Sequence, residues 1–427
     1  MRTFLELLPF RIEQAISSRW LRTKRTRQKR LSTIPVQGSP AGPRRLFIDM
    51  AVISNHDAGT GIQRVVREIA LALLSEAAPE WDIRFVSATR NKPYHRIAWP
   101  DRSGNINATK MRGRPGDIFL GLDYSLDAVR RHRRQLARFR QDGGSLWFLV
   151  HDLLPLHRPD WFSPYTVIRY KAWLSILAGL ADGFLCNSHQ TETELKDALA
   201  KIYGLAAGYR TQVLPMGSAI PDGRQFRNTE AEEIPSPRFN LTEPFALMVG
   251  TLEPRKGHSD IIAAFDELWK RGCTEKLVLV GRLGWQVDAL RDLILAHPEY
   301  GAKLLWFNDI EDAELFQIYK ACTGVIIASY GEGFGLPLIE ALGHGKPVLA
   351  RNLSVFRMHE GKGAYFFPIG ASVQDLVGTI EKWLDAAHQG KIAVIKPTDS
   401  WRDASAILLS AIGDNIGFCR QPKIQHR

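Results

Sequence analysis

A chain of 427 residues is too long for one ordinary hydrophobic core and implies two domains. With 45% hydrophobic and 24% charged residues it has the composition of a soluble globular protein. Its longest apolar run, from Trp173 to Cys186, is interrupted by Asp182, which argues against a membrane span. The formal net charge of +11 is concentrated: between Met1 and Arg45 eleven Lys and Arg residues stand against Glu6 and Glu13. Such a concentration points to an anionic surface as a partner. The cysteines, Cys186, Cys273, Cys322 and Cys419, show no C-x-x-C pairing. That argues against a zinc site or a disulfide framework and for a reducing cytoplasm. The N-terminus lacks the apolar core and small-residue cleavage site of a secretory signal.

Residues 1–24 place Phe4, Leu7, Leu8, Phe10, Ile12, Ile16, Trp20 and Leu21 among arginines, a weakly amphipathic helical pattern followed by a basic run from Arg22 to Arg30. Docking on a membrane surface and a solvated tail are both open readings. Nucleic acid is not expected, because no RNA-binding motif, helix-turn-helix or zinc finger accompanies the charge. Prolines and glycines over 31–44 read as a linker.

A first domain over 45–228 opens with the strand Arg45 to Asp49. The glycine loop Asp57-Ala-Gly-Thr-Gly61 then leads into an amphipathic helix, one Rossmann-like unit. Its wording is not G-x-G-x-x-G, so no nicotinamide cofactor is expected. Further strands are predicted over 81–86, 117–121 and 145–150, and the alternation with helices predicts a parallel sheet. A second arginine cluster, Arg130 to Arg140, is predicted to lie on one helix. His151 follows the strand 145–150 directly, at the strand end where open α/β sheets bind ligands. Asn187 and Ser188 end another strand and read first as a helix cap and second as a contact in the cleft. A polar, proline-broken connection over 221–243 leads to a second domain, 244–398, and residues 399–427 form a last helix and tail.

The second domain starts with the strand Phe245 to Val249. Gly250-Thr-Leu-Glu-Pro-Arg255-Lys256-Gly257 follows, placing two adjacent cations beside a glycine after a strand. Arginine offers a planar fork and lysine a point charge, together a clamp suited to a diphosphate. Further strands are expected at 276–280, turning at Gly281, and at 303–310. The apolar run from Thr323 to Ala328 then predicts a buried strand ahead of Ser329-Tyr-Gly-Glu332-Gly333-Phe334-Gly335-Leu336-Pro337-Leu-Ile-Glu340. Glycines at 331, 333 and 335 allow close backbone approach. Pro337 suits the first helical position, which would put Glu340 in the first turn. Free amides and the positive end of a helix dipole meet at that turn and make an anion site.

Glu332 through Glu340 resembles the E-x7-E signature of retaining glycosyltransferases, the glycosyl transferases group 1 or family 4 type, and the EGFGLPLIEAL wording matches almost throughout. The resemblance implies the GT-B fold: α/β, two Rossmann-like domains facing a central cleft, the C-terminal helix crossing back to the first. It implies catalytic roles for Glu332, His151, Arg255 and Lys256. It implies donor contacts from Gly61, Gly250, Gly281, Phe307, Ile310, Gly333, Phe334, Gly335, Leu336 and Glu340. The nucleobase would be read near Phe307 to Ile310. Glu332 would hold the sugar hydroxyls and Glu340 those of the ribose. Many members carry Arg directly after the first glycine, where this chain has Thr251, which leaves Arg255 as the replacement.

The wording of GTLEPRKG and TGIQRVVR is most like bacterial mannosyltransferases of surface-polysaccharide assembly, so GDP-mannose is the favoured donor, ahead of UDP-glucose or another hexose. No cofactor and no metal are expected, since Asp309 and Asp312 read as a solvated helix start. A lipid-linked saccharide acceptor and an anionic membrane surface are the expected partners, with the chain cytoplasmic and peripheral on the inner face of the cell membrane. A nucleotide-sugar 2-epimerase and a non-catalytic scaffold are the alternatives.

Overall fold

The computed structural model describes residues 42–76, 79–101, 108–217 and 242–413. Most of the basic N-terminal segment with its amphipathic pattern, the polar connection up to residue 241, and Cys419 lie outside the described residues. Within them the chain forms two compact units. One comprises the residues up to 159, then 164–215, and those from 401 onward; the other comprises 160–163 and 216–400.

The first unit is built on a seven-stranded sheet in the order β3-β2-β1-β4-β5-β6-β7. Its strands are β1 (Arg44–Asp49), β2 (Trp81–Ser87), β3 (His95–Arg96), β4 (Ile118–Gly121), β5 (Ser145–Val150), β6 (Gly183–Cys186) and β7 (Arg210–Val213). All neighbours pair in parallel except β2 and β3. The central strands are continuous apolar runs because helices cover both faces. The helices are α1 (Gly61–Glu76), α2 (Leu126–Arg131), α3 (Arg133–Gln141), α4 (Leu154–His157), α5 (Pro164–Leu180) and α6 (His189–Tyr203). The arginine cluster, expected on one helix, therefore lies on two. The chain breaks at His132, whose φ of −103° and ψ of 20° leave the helical region and whose Nε2 bonds the Thr89 carbonyl at 2.8 Å.

The second unit carries a six-stranded, wholly parallel sheet in the order β10-β9-β8-β11-β12-β13. Its elements run β8 (Phe245–Val249), α7 (His258–Lys270), β9 (Lys276–Val280), α8 (Asp288–Leu295), β10 (Leu304–Phe307), α9 (Asp312–Ala321), β11 (Gly324–Ile327), α10 (Leu336–Gly343), β12 (Val348–Arg351), β13 (Ala364–Phe367) and α11 (Val373–His388). The last described helix, α12 (Trp401–Gly413), belongs to the first unit. There it buries Trp401, Leu408 and Ile412. Arg44 Nη1 donates to the Gly413 carbonyl at 3.2 Å and Arg210 Nη2 to the Ala411 carbonyl at 2.6 Å. No helix among the described residues is long and apolar enough to cross a membrane.

Strand order reverses between β1 and β4 in one unit and between β8 and β11 in the other. The carboxyl ends of strands at such a reversal are where open α/β sheets leave a crevice for ligands.

Candidate active site

In the second unit the loops that leave β8 and β11 are the two that carry the sequence motifs. Gly250 turns the chain out of β8, its amide donating to the Val280 carbonyl at 2.9 Å. A Cβ on Gly281 would lie 2.0 Å from the Gly250 carbonyl oxygen, so only glycine lets these strand-end loops pass each other. The turn Pro254–Lys256 then winds into Gly257, at φ +69°, where a Cβ would meet the Ala328 carbonyl oxygen at 2.3 Å. The basic turn is thereby seated against the end of β11, and the Tyr330 amide fixes it by donating to the Arg255 carbonyl at 2.8 Å.

This packing brings together residues 76 positions apart. Lys256 Nζ lies 2.5 Å from Glu332 Oε1, and Arg255 Nη1 lies 3.9 Å from Glu332 Oε2. Ser329 Oγ donates to the same Oε1 at 2.6 Å, and Glu253 aims Arg255 through a 2.7 Å bond to Nε. Burial pushes the Glu332 carboxyl up, but Lys256 and then Arg255 more than offset it and hold the group below its ordinary value. The result is a carboxylate held toward its ionised form between two cations, all three side chains largely buried.

The glycine loop completes the arrangement. Of its three glycines it is Gly335 that takes φ +90°, with a Cβ position 2.2 Å from the Phe356 ring. Helix α10 begins at Leu336, so Pro337 occupies its second position rather than the first, and Glu340 sits in the second turn rather than the first. Glu340 is buried, and the Tyr319 hydroxyl donates to its Oε2 at 2.8 Å. The Tyr319 ring in turn stacks flat on His344, 4.9 Å between centroids. Phe307 ends β10, and Ile310 stands two residues before α9, whose start is a capping box between Glu311 and Glu314.

Sequence reading missed the group beneath the loop. Arg351, fully buried, donates from Nε to the Ala328 carbonyl at 2.9 Å and from Nη2 to Asp260 at 2.6 Å. Its guanidinium lies 3.9 Å from the centre of the Tyr330 ring, and the Tyr330 hydroxyl reaches the same Asp260 oxygen at 2.6 Å. No local pattern marks these residues, because they meet only through strand order.

In the first unit Gly61 is the opening residue of α1. The loop before it is tied down by Gln63, whose Oε1 accepts from the Ala58 amide at 2.8 Å and whose Nε2 donates to the His56 carbonyl at 2.7 Å. His151 leaves β5 and is buried, with Nε2 at 3.2 Å from the Leu122 carbonyl. Burial drives its pKa down to about 4, so at neutral pH the ring is uncharged. Asp49, at the end of β1, accepts from Ser125 Oγ at 2.5 Å and from the Tyr94 hydroxyl at 2.9 Å. Burial and then Asp123 raise its pKa to about 7. Ser188 alone caps α6, its Oγ accepting from the Thr191 amide at 3.1 Å. Asn187, expected to share that cap, instead donates from Nδ2 to the His151 carbonyl at 2.7 Å.

Residues 229–392 match the family model described as glycosyl transferases group 1. The chain is 32% identical over 385 residues to the serotype-specific mannosyltransferase WbdA of Escherichia coli, a match covering 86% of this chain and 46% of that one. It is also 33% identical over 114 residues to the O-antigen chain mannosyltransferase B of Escherichia coli, covering 26% of this chain and 29% of that protein. The chain spans less than half the length of the WbdA relatives it matches. Among solved structures, sucrose-phosphate synthase from Thermosynechococcus elongatus superposes with a TM-score of 0.55 at 17% identity, covering 87% of this chain and 94% of that one. Anabaena HepE in complex with UDP and glucose gives 0.53 at 17% identity, with coverage of 86% and 95%. The chain has the GT-B fold, and its residues 229–392 are a domain of the glycosyl transferases group 1 family.

Proposed function

We propose that this chain is a retaining glycosyltransferase that moves a hexose, mannose in particular, from a nucleoside diphosphate to a hydroxyl of a saccharide acceptor. The observation that carries the proposal is the convergence of Arg255, Lys256 and Glu332 at the strand-order reversal of the second unit. The bond that breaks joins the sugar's anomeric carbon to a phosphate oxygen, and its electron pair leaves on the diphosphate. Arg255, Lys256 and the amides at the start of α10 stabilise that growing negative charge. Glu332, kept ionised, holds hydroxyls of the sugar, and Glu340 holds those of the nucleoside's ribose. The acceptor oxygen bonds to the anomeric carbon on the face the diphosphate leaves, and its proton passes to the departing phosphate oxygen. His151, neutral, is the first unit's candidate for a hydrogen bond to substrate. In this scheme the chain's own cations neutralise the leaving group, so the reaction proceeds without a metal.

GDP-mannose is the proposed donor and a lipid-linked saccharide the proposed acceptor; similarity to mannosyltransferases supports the sugar, and the basic N-terminal segment supports an acceptor carried on a membrane. The proposed place of work is the cytoplasmic face of a membrane. The test is a panel of nucleotide sugars offered to the native chain with EDTA present, reading binding and slow release of nucleoside diphosphate. One donor is expected to bind saturably. Lys256→Ala is expected to lower turnover by about 10²–10³-fold, the usual effect of removing one group that stabilises the developing charge, and Glu332→Ala, which removes the acceptor for the sugar hydroxyls, is expected to lower turnover as well. No binding of any donor, or activity abolished by EDTA, refutes the scheme.

A further inference from the structure

The first unit holds a polar atom that the scheme above leaves unused. Asn187 follows β6 directly and is 7% exposed. Its Nδ2 donates to the His151 carbonyl, and since a carbonyl only accepts, that bond fixes which way round the amide sits. Oδ1 then faces elsewhere, buried and without a hydrogen-bond partner among the described residues. A buried carbonyl oxygen is ordinarily satisfied, and its exceptions call for an explanation.

The surroundings supply one. Strands β5 and β6 pair in parallel with Val150 opposite Cys186, so His151 and Asn187 leave neighbouring strands at the same level of the sheet. That level is the carboxyl end, where ligands of open α/β sheets are received. His151 Nε2 faces the Leu122 carbonyl, so this nitrogen carries the ring proton and Nδ1 is left as a lone pair. The two side chains therefore offer acceptors. A phosphate or carboxylate would bring lone pairs against lone pairs. A hydroxyl group, which has a proton to donate, is the chemistry that fits.

We propose that Asn187 Oδ1 accepts a hydrogen bond from a substrate hydroxyl beside His151, which makes Asn187 a specificity-determining residue of the transfer reaction. The inference rests on the glycosyl-transfer reading. The hydroxyl belongs either to the donor sugar or to the acceptor saccharide, and the experiment separates the two.

The native chain and Asn187→Ala are each supplied with monodeoxy versions of the donor sugar, and in a second arm with monodeoxy acceptors. In the native chain one missing hydroxyl is expected to lower kcat/KM at least about tenfold, since a site built to hydrogen-bond a hydroxyl discriminates against its absence. In Asn187→Ala that ratio is expected to fall to about one, with intact and deoxy substrates handled alike. The arm in which the ratio collapses names the source of the hydroxyl. If Asn187 merely braces the His151 backbone, the variant slows intact and deoxy substrates equally and keeps the ratio, which overturns the proposal. A native chain that tolerates every deoxy substrate within about threefold also overturns it, with no variant needed. A native chain that turns over no nucleotide sugar overturns the underlying reading instead.

Discussion

His151 has its chemistry set by burial. An exposed imidazole takes up a proton near pH 6.5, whereas this one resists protonation down to about 4. Because the unfolded chain binds that proton first, the neutral ring contributes stability that is complete above about pH 6.5 and is lost as pH falls toward 4. Denaturant unfolding at pH 7.5 and at pH 5 is expected to show that loss, and His151→Gln, which has no titrating ring, is expected to lose less. An equal drop in both proteins refutes the assignment. At this scale part of the site was legible in the sequence. The apolar run Leu146 to Val150 placed His151 at a strand end, and adjacent cations marked Arg255 and Lys256. The bond from Asn187 to His151 was not legible, because it spans 36 residues and exists only in the observed register of β5 and β6.

Loops, strands and helices tell the same story one level up. Each motif-bearing loop could be read by itself as strand, glycine turn and helix start. That Lys256 meets Glu332 follows from β8 and β11 being neighbours, and strand order is not written in any local window. Gly257 shows how tight that meeting is. Gly257→Ala puts a methyl group at φ +69° and 2.3 Å from the Ala328 carbonyl oxygen, so the basic turn must lift away from β11. Destabilisation of about 1–3 kcal/mol is expected, together with weakened nucleotide-sugar binding. Thermal unfolding and donor titration on one preparation check both, and unchanged binding refutes the seating argument. Helix α5 escaped prediction for a different reason. Its buried residues include the consecutive run Ala172 to Ser175, so apolar groups surround the axis and no single stripe signals a helix.

For the whole molecule, the parallel α/β architecture and the return of a final helix to the first unit followed from the alternation of elements and the resemblance of the E-x7-E loop. Charge distribution is a property of the same scale. Nearly all of the net +11 falls between Met1 and Arg45, while Arg131, Arg134 and Arg138 stand exposed on α2 and α3. A chain so polarised is expected to bind vesicles containing anionic lipid, more weakly as salt rises, and to ignore neutral ones. Deleting residues 1–30 is expected to release it; sedimentation with vesicles is the measurement, and undiminished binding refutes the role given to that segment. The docking of α12 has a consequence for biosynthesis. Arg44 and Gly413 are 369 residues apart, yet their bond helps close the first unit. On the ribosome, domains fold in the order they emerge. Here the first unit emerges without its last helix, and the apolar surface that will receive Trp401, Leu408 and Ile412 stays uncovered until the entire second unit has been translated. During that interval the nascent chain presents a surface for chaperones, and only the arrival of α12 ends it.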